Sequence, residues 1–344
     1  MNVRDIISIR LKAEFEKRGL SPKDISTSSN LPYDLINSYL SGNAKIQNHE
    51  LQAICNAINF NFFLLISPNY TSTKLHFRNS STEACLLAEK AGNAFLIIHD
   101  FFPNVKKPTI EAAQYFSNRT IDIIAIVVTA VNEVKRKYGD TVEEIIDNLN
   151  IQVTFFEANG IEAFIICSEN NSLICVNTSN PPPRIHFSLA HEVSHFLFDR
   201  EKEIGLDLKI PLFRDDIPHD LIQEYIATKF AQFLLLPIEK LERIVRKFGM
   251  SEIKEDIQNL IIEHRSSKEV ALYALYDTLY LLRSKKEFES IKAVTETLSS
   301  SNDRTILDWL KKKKTDLSRC ITIHRDVFSE DVLSEVESGL NIHD

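Results

Sequence analysis

An apolar segment that carries two histidines one helical turn apart constrains this chain more than any other stretch of its sequence. His191 and His195 enclose Glu192 in an H-E-x-x-H pattern. Small and apolar residues recur around them at helical spacing, at Phe187, Ala190, Ser194 and Leu197. Residues four apart on a helix point the same way, so both imidazoles project from one face. The segment is therefore predicted to be a largely apolar, buried helix whose histidines can bind one metal ion.

The residue types in this pattern favour a catalytic metal. Neutral imidazole nitrogens suit zinc, and a catalytic zinc ion has three protein ligands and one open position. Glu192 follows the first histidine directly, where a general base for the attacking water is needed. The alternative interpretation, two core histidines that hydrogen-bond to backbone carbonyls, is disfavoured by the acid beside them. Zn²⁺ is the predicted cofactor, although Mn²⁺ or another divalent metal also suits histidine and carboxylate ligands.

A third ligand is predicted at Glu224. Small and apolar residues continue from it at helical spacing, at Ala227, Phe230, Ala231 and Leu234. A carboxylate on such a buried face is costly unless it is paired or bound to a cation. An ion pair with an arginine remains the alternative interpretation. Three competing carboxylates lie in a polar loop that contains proline, at Asp215, Asp216 and Asp220.

The segments upstream of the histidines predict a small sheet. Residues 151–156, 161–167 and 173–177 alternate or run apolar, with turn residues between them. Residues 118–138 and 141–149 have helical patterns, and Glu144 is placed for a capping box at Thr141. The predicted fold class is mainly α with a small β-sheet (α+β). An all-α helix-turn-helix domain is followed by a minimal zincin-like domain.

The first 70 residues form the predicted helix-turn-helix domain. Short helices at 21–28 and 32–40 flank a tight turn, and a further helix covers 50–58. The order resembles the phage-repressor-like (XRE-type) group, which implies DNA contacts from the exposed residues of the helix at 32–40. These residues are Tyr33, Asp34, Asn37 and Ser38. Because this helix contains no lysine or arginine, a protein-docking or dimerisation module remains the alternative.

Composition favours a cytoplasmic protein. The 344 residues are 44% hydrophobic, but the longest apolar runs fall short of a membrane span, and residues 1–12 lack a signal-peptide layout. The five cysteines form no C-x-x-C pair and are expected to be reduced. The net charge of −8 argues against nonspecific coating of nucleic acid. The basic run at 311–314 is expected to be a solvated helix face, with nucleic-acid contact as the lesser alternative.

Two motif blocks together resemble the ImmA/IrrE family of zinc-dependent metallopeptidases. The first block runs from Arg184 to His195, and the second has the form Glu224-x-x-Ala227-x-x-Phe230-Ala231-x-x-Leu234-Leu235-x-Pro237. The similarity covers roughly residues 80–280. It implies that His191, His195 and Glu224 bind the metal and that Glu192 is catalytic. It also implies an intracellular endopeptidase that cuts a specific protein, a repressor or antitoxin, and thereby releases transcription in a stress or mobile-element response.

The chain departs from the family pattern at two positions. Family members carry glycine where this chain has Ser194, and they favour a basic residue where it has His186. The oxyanion and substrate contacts are therefore open among Arg184, His186, His219 and Tyr225. A DNA-binding regulator whose metal domain is a sensor or structural element is the alternative function.

The predicted domains are residues 1–70 (helix-turn-helix), 71–117 (helical connector), 118–285 (metallopeptidase) and 286–344 (helical C-terminal extension).

Overall fold

The chain forms two compact units, Met1–Ser72 and Thr73–Asp344. The computed structural model describes residues 8, 11–12, 15, 18–41, 43–44, 47–58, 90–92, 94–95, 97–98, 101–106, 108–117, 122–157, 162–167, 170–198, 222–247, 253–282, 288–323 and 330–340. Each unit has its own hydrophobic core. The further division of the second unit at 117 and 285 remains a prediction.

The described part of the first unit contains three complete helices, α1 (Pro22–Ser29), α2 (Tyr33–Leu40) and α3 (Asn48–Ala57). They agree with the helices predicted at 21–28, 32–40 and 50–58. Ser21 and Asp24 form a capping box at the start of α1, and Asn30 ends it in the left-handed conformation with φ +57°. The left-handed backbone of Asn30 produces the tight turn between α1 and α2. The core consists of aliphatic and aromatic side chains from these helices and from residues before them, including Leu11, Phe15, Ile25, Ile36, Leu51 and Ile54.

The second unit is built around a three-stranded sheet of order β1–β3–β2. The strands are β1 (Gln152–Phe156), β2 (Ala163–Cys167) and β3 (Ser172–Asn177). β1 pairs with β3 in parallel, and β2 pairs with β3 in antiparallel register. These bounds confirm the three predicted strands. β3 is buried along its whole length because it is the central strand and both faces of the sheet are covered.

Helices of the second unit cover both faces of this sheet. Their bounds are α4 (Ile123–Tyr138), α5 (Val142–Leu149), α6 (Pro182–Phe198), α7 (Ile222–Leu235), α8 (Ile238–Lys247), α9 (Ile253–Glu263), α10 (Lys268–Leu281), α11 (Phe288–Glu296), α12 (Thr305–Ile323) and α13 (Glu330–Leu340), with a 3₁₀ helix at Glu111–Ser117. The predicted capping box of Thr141 and Glu144 is present at the start of α5. The fold class is therefore confirmed as mainly α with a small sheet.

The sheet separates two apolar cores. On one face, Ile165, Ile174 and Val176 pack into the large core formed with α4 to α10. On the other face, Phe164, Leu173 and Cys175 pack against the helical segment around residues 91–98, the end of α12 and α13. Alternate side chains of a strand point to opposite faces, so one strand serves both cores. The histidine-bearing helix α6 lies on the first face, between the sheet and α7.

The C-terminal helices belong to this packing. Thr154 of β1 donates a hydrogen bond from its hydroxyl to the carbonyl of Leu340, at 3.2 Å. In the basic run, Lys313 pairs with Asp147, and the ammonium of Lys314 lies 4.7 Å from the centre of the Phe155 ring. Two of the four lysines therefore bind elements of the fold, whereas Lys311 and Lys312 are exposed. Among the residues that the structure describes, no helix is both long and apolar enough to cross a membrane.

Candidate metal centre

Three side chains from α6 and α7 bring two imidazole nitrogens and a carboxylate close together. The Nε2 atoms of His191 and His195 are 3.1 Å apart. The carboxylate of Glu224 places Oε2 3.2 Å from His191 Nε2 and Oε1 3.2 Å from His195 Nε2. Within the described ranges, this is the one group of histidine, cysteine and acidic side chains that could hold a metal ion.

The separations of these atoms fit a tetrahedral metal. Zinc lies about 2.0–2.1 Å from imidazole nitrogens and carboxylate oxygens, so two tetrahedral ligand atoms are about 3.3 Å apart. The observed 3.1–3.2 Å agrees with that edge length. Three protein ligands leave a fourth position open, which is the arrangement of catalytic rather than structural zinc. The two imidazoles are buried, whereas 28% of the Glu224 side chain is exposed, so solvent reaches the set from the side of α7.

The geometry follows from how the two helices are built. α6 is a 17-residue helix whose middle is buried on nearly every side, so the rings of His191 and His195 are held between the sheet and α7. α6 and α7 pack against each other, and Ala227 and Ala231 are among the small buried residues of α7. This contact brings the first turn of α7, with Glu224, opposite the two histidines.

The electrostatics of the set keep the carboxylate ionised. Burial raises the pKa of Glu224, but its hydrogen bonds with His191 and His195 lower the pKa further, and the net shift is well below the ordinary value of 4.5. An ionised carboxylate can bind a cation without first releasing a proton. By contrast, burial raises the pKa of Cys175 on β3, and the nearby charge of Glu192 adds to that shift. Cys175 is therefore a neutral thiol and a poor metal ligand.

Glu192, the predicted general base, is almost completely buried, with 3% of its surface exposed. It lies on α6 between His191 and His195 in sequence, and its charge contributes to the raised pKa of Cys175. Burying a carboxylate beside an apolar sheet is costly without a functional or electrostatic reason. Glu192 follows His191 directly in the chain, and the predicted role of general base beside a metal ion would supply such a reason.

The structure places the predicted oxyanion and substrate contacts in different surroundings. Arg184 forms an ion pair with Glu162, which immediately precedes β2. The ring of His186 is buried, and its Nε2 lies 3.4 Å from Oε2 of Glu143 on α5. Tyr225 is half-buried directly after Glu224. His219 and the competing carboxylates Asp215, Asp216 and Asp220 lie outside the described residues. The role of each remains a prediction.

Four charged residues that the sequence reasoning did not single out lie beside the two ligand helices. Glu143 joins His186 to Arg265, whose Nη1 is 2.9 Å from Oε1 of Glu143. Lys229 on α7 pairs with Asp277 on α10 at 2.6 Å. One pattern could have revealed Asp277, because it is a charged residue on the apolar side of a helix. The sequence does not predict which partner any of these four residues contacts.

In the first unit, the predicted DNA-reading residues occupy the accessible side of α2. Tyr33 is 49% exposed, and Asn37 and Ser38 are partly exposed. The hydroxyl of Ser38 donates to the carbonyl of Asp34 at 2.8 Å, so part of its hydrogen-bonding capacity serves the helix itself. Asp34 is exposed on the same helix. DNA binding through these residues remains a prediction.

A His-His-Glu ligand set on two packed helices, beside a small sheet and with a buried glutamate next to the first ligand, is typical of a zincin-like metallopeptidase domain. Comparison with known families agrees with this class. Residues 146–276 match the peptidase family M78, described as the IrrE N-terminal-like domain. The matched segment includes His191, Glu192, His195 and Glu224 and supports a peptidase of the metal-dependent ImmA/IrrE type. No curated protein matches the chain.

Proposed function

We propose that this protein is a zinc-dependent endopeptidase that acts in the cytoplasm on one specific protein. The observation that carries the proposal is the ligand set itself: two imidazole nitrogens 3.1 Å apart, each 3.2 Å from an oxygen of the Glu224 carboxylate. Glu192 beside it supplies the acid–base group that peptide hydrolysis requires. A structural metal site has no need of a buried glutamate next to its first ligand, so this pairing favours catalysis.

The roles of the side chains follow from their positions. His191, His195 and Glu224 would hold the metal, and their geometry suits zinc, although Mn²⁺ or another divalent metal has compatible ligand preferences. When bound, zinc supplies Lewis acidity to the scissile carbonyl and to a water molecule. Glu192 takes a proton from the attacking water on its carboxylate and passes it to the leaving amine. Burial of Glu192 excludes bulk water from this transfer.

A further group must stabilise the negative charge that develops on the carbonyl oxygen. Tyr225 follows the third ligand directly, and we propose its hydroxyl for this role. The other described candidates already bind carboxylates, Arg184 with Glu162 and His186 with Glu143. Those contacts favour a structural role, or a contact with the periphery of the substrate, for Arg184 and His186.

The substrate that we propose is a transcriptional repressor or antitoxin, whose cleavage derepresses a stress or mobile-element response. Two features support this choice. The match to the IrrE N-terminal-like domain points to a peptidase of that type, and the separate helical unit before it offers a means of bringing the peptidase to a regulatory protein. The helix–turn–helix order of α1 and α2 favours targets that act on DNA.

The test is Glu192→Gln in the full-length protein, incubated with repressors encoded beside its gene. We expect this variant to retain bound zinc and to lose cleavage by at least about a hundredfold, because the amide cannot accept the proton. Glu242→Gln, a change of the same type on the exposed side of α8, is the matched control and should cut at the wild-type rate. Retained cleavage by Glu192→Gln would refute the mechanism.

A second function, a DNA-binding regulator whose metal domain is a sensor or structural element, is favoured by one observation. Tyr33 is a large side chain left 49% exposed on the predicted recognition helix α2. Exposed aromatic and amide side chains can contact bases. This function predicts DNA binding that is independent of Glu192, which separates it from the peptidase.

A further inference from the structure

A buried ion pair ties the second ligand helix to α10. The ammonium of Lys229 on α7 lies 2.6 Å from Oδ2 of Asp277, and only 11% and 6% of these side chains are exposed. The neighbouring positions on α10 are apolar and buried, including Ala274, Leu275 and Leu279. Burying two charges is often no more stabilising than an apolar pair of the same volume. The pair therefore suggests that α7 and α10 need a contact that fixes their relative direction as well as their distance.

The same lysine also contacts the residue next to the third ligand. Its ammonium lies 5.1 Å from the centre of the Tyr225 ring, within the range of a cation–π interaction. Tyr225 and Lys229 are four residues apart and share one face of α7. Tyr225 in turn follows Glu224 in the chain. One side chain thus connects α10 to the turn of helix that carries the ligand.

Glu224 has more need of such a connection than the two histidines have. It is the third residue of α7, in a first turn whose backbone N–H groups have no partners within the helix. His191 and His195 lie well inside a 17-residue helix that is packed on nearly every side. Metal ligands must be held to within a fraction of an ångström, and the groups that orient them affect metal affinity strongly. The first turn of α7 is therefore the weakest part of the ligand set.

We propose that Lys229 and Asp277 are positioning residues for the metal centre, which fix the first turn of α7 through Tyr225 and so hold the Glu224 carboxylate opposite the two histidines. This role rests on the proposed metal-dependent function. Asp277 anchors and orients the ammonium from α10, and the ammonium fixes the ring of Tyr225. Neither residue touches the reacting atoms.

The test measures zinc affinity by competition with a chromophoric chelator, and coordination geometry by the visible absorption of the Co²⁺-substituted full-length protein. We expect Lys229→Met to bind zinc ten- to a hundredfold more weakly, the range found when a group that orients a ligand is lost. The Co²⁺ spectrum should change, because Glu224 no longer holds its position. Lys229→Arg, which can pair with a carboxylate and stack on a ring, should restore most of the affinity.

Two further variants separate positioning from general stability. Lys229→Met leaves Asp277 buried without its partner, so the double variant Lys229→Met/Asp277→Leu provides a folded comparison, and it should show the same loss of affinity. Lys247→Met breaks a more exposed lysine–aspartate pair with Asp256, at 2.9 Å between α8 and α9, and should keep wild-type affinity and spectrum.

The outcomes distinguish this inference from the proposed function. Wild-type zinc affinity and an unchanged Co²⁺ spectrum in the folded double variant would overturn the positioning role and leave the peptidase proposal intact. A wild-type protein that binds no zinc would refute the metal site and the positioning role together. A weakened site in Lys229→Met, in a protein that cuts no repressor, would support the positioning role and count against the substrate.

Discussion

Replacing Glu143 by glutamine tests how the ligand helix α6 is attached to the rest of the domain. Glu143 is in the first turn of α5, with 13% of its side chain exposed. Its Oε1 lies 2.9 Å from Nη1 of Arg265, and its Oε2 lies 3.4 Å from Nε2 of His186 at the start of α6. Burial raises the pKa of Glu143, but His186 and Arg265 lower it more, from the ordinary 4.5 to about 2. The folded protein therefore stabilises the ionised carboxylate.

The pKa values set both the size and the pH range of the effect. The folded value is below the unfolded one, so the stabilisation is fully present above pH 4.5 and is lost as the pH falls towards 2. A shift of this size corresponds to about 3 kcal/mol of unfolding free energy at pH 7, decreasing to about 1 kcal/mol near pH 3. Glutamine does not titrate in this range. We therefore expect Glu143→Gln to be about 3 kcal/mol less stable than wild type at pH 7, with a smaller difference in acid.

The assay is urea unfolding of the metal-free protein at pH 7, 5, 4 and 3, followed by tryptophan fluorescence. Trp309 is the chain's single tryptophan and packs against the large core from α12, so its signal reports the second unit. Glu263→Gln, which breaks an exposed pair with Lys240, is the control and should cost less than about 1 kcal/mol. The reasoning would be refuted if wild type and Glu143→Gln had the same unfolding free energy at pH 7. It would also be refuted if their difference stayed constant down to pH 3.

Two further predictions concern the metal and the first unit. Glu224→Ala should lower the zinc content from one ion per chain to well below one half, because two imidazoles alone are too few ligands for a catalytic zinc site. Elemental analysis after dialysis measures this content. Full zinc content in this variant would exclude Glu224 as a ligand. If the first unit reads DNA, Asn37→Ala should weaken binding to an operator by about tenfold or more at a stated salt concentration, since an asparagine–adenine pair contributes about 1–3 kcal/mol. Fluorescence anisotropy would measure this, and a wild-type protein that binds no candidate operator would remove the DNA-binding alternative.

The elements around the metal centre could be predicted because their patterns are local. Apolar runs between turn residues predict the three strands at 151–156, 161–167 and 173–177, and the structure confirms them to within two residues. The capping box of Thr141 and Glu144 needs only residues three positions apart. The approach of Glu224 to His191 and His195 could also be anticipated, because residues predicted to bind one metal ion must lie close together.

The charged contacts around the ligand helices could not be predicted in the same way. Glu143 and Arg265 are 122 residues apart in the chain, and Lys229 and Asp277 are separated by 48. A sequence pattern reports which face of a helix is buried, but it does not report which distant helix covers that face. For the same reason, the sequence does not predict that α12 and α13 cover the second face of the sheet. This contact is seen only when the packing partners are known, and the periodicity of either helix does not identify them.

These contacts also explain how a mostly apolar domain can keep the predicted metal ligands in fixed positions. Apolar packing is non-directional, and it resists separation of two helices better than it resists a small slide or rotation between them. An ion pair at 2.6–2.9 Å fixes a direction as well as a distance. His186 and Glu143 attach the beginning of α6 to α5, and Lys229 and Asp277 attach the middle of α7 to α10. Each of these two helices thus has apolar contacts along its length and one polar attachment about one turn from a predicted ligand. We infer that the apolar core supplies most of the stability of this domain, and that the buried charges set the positions of the ligand atoms.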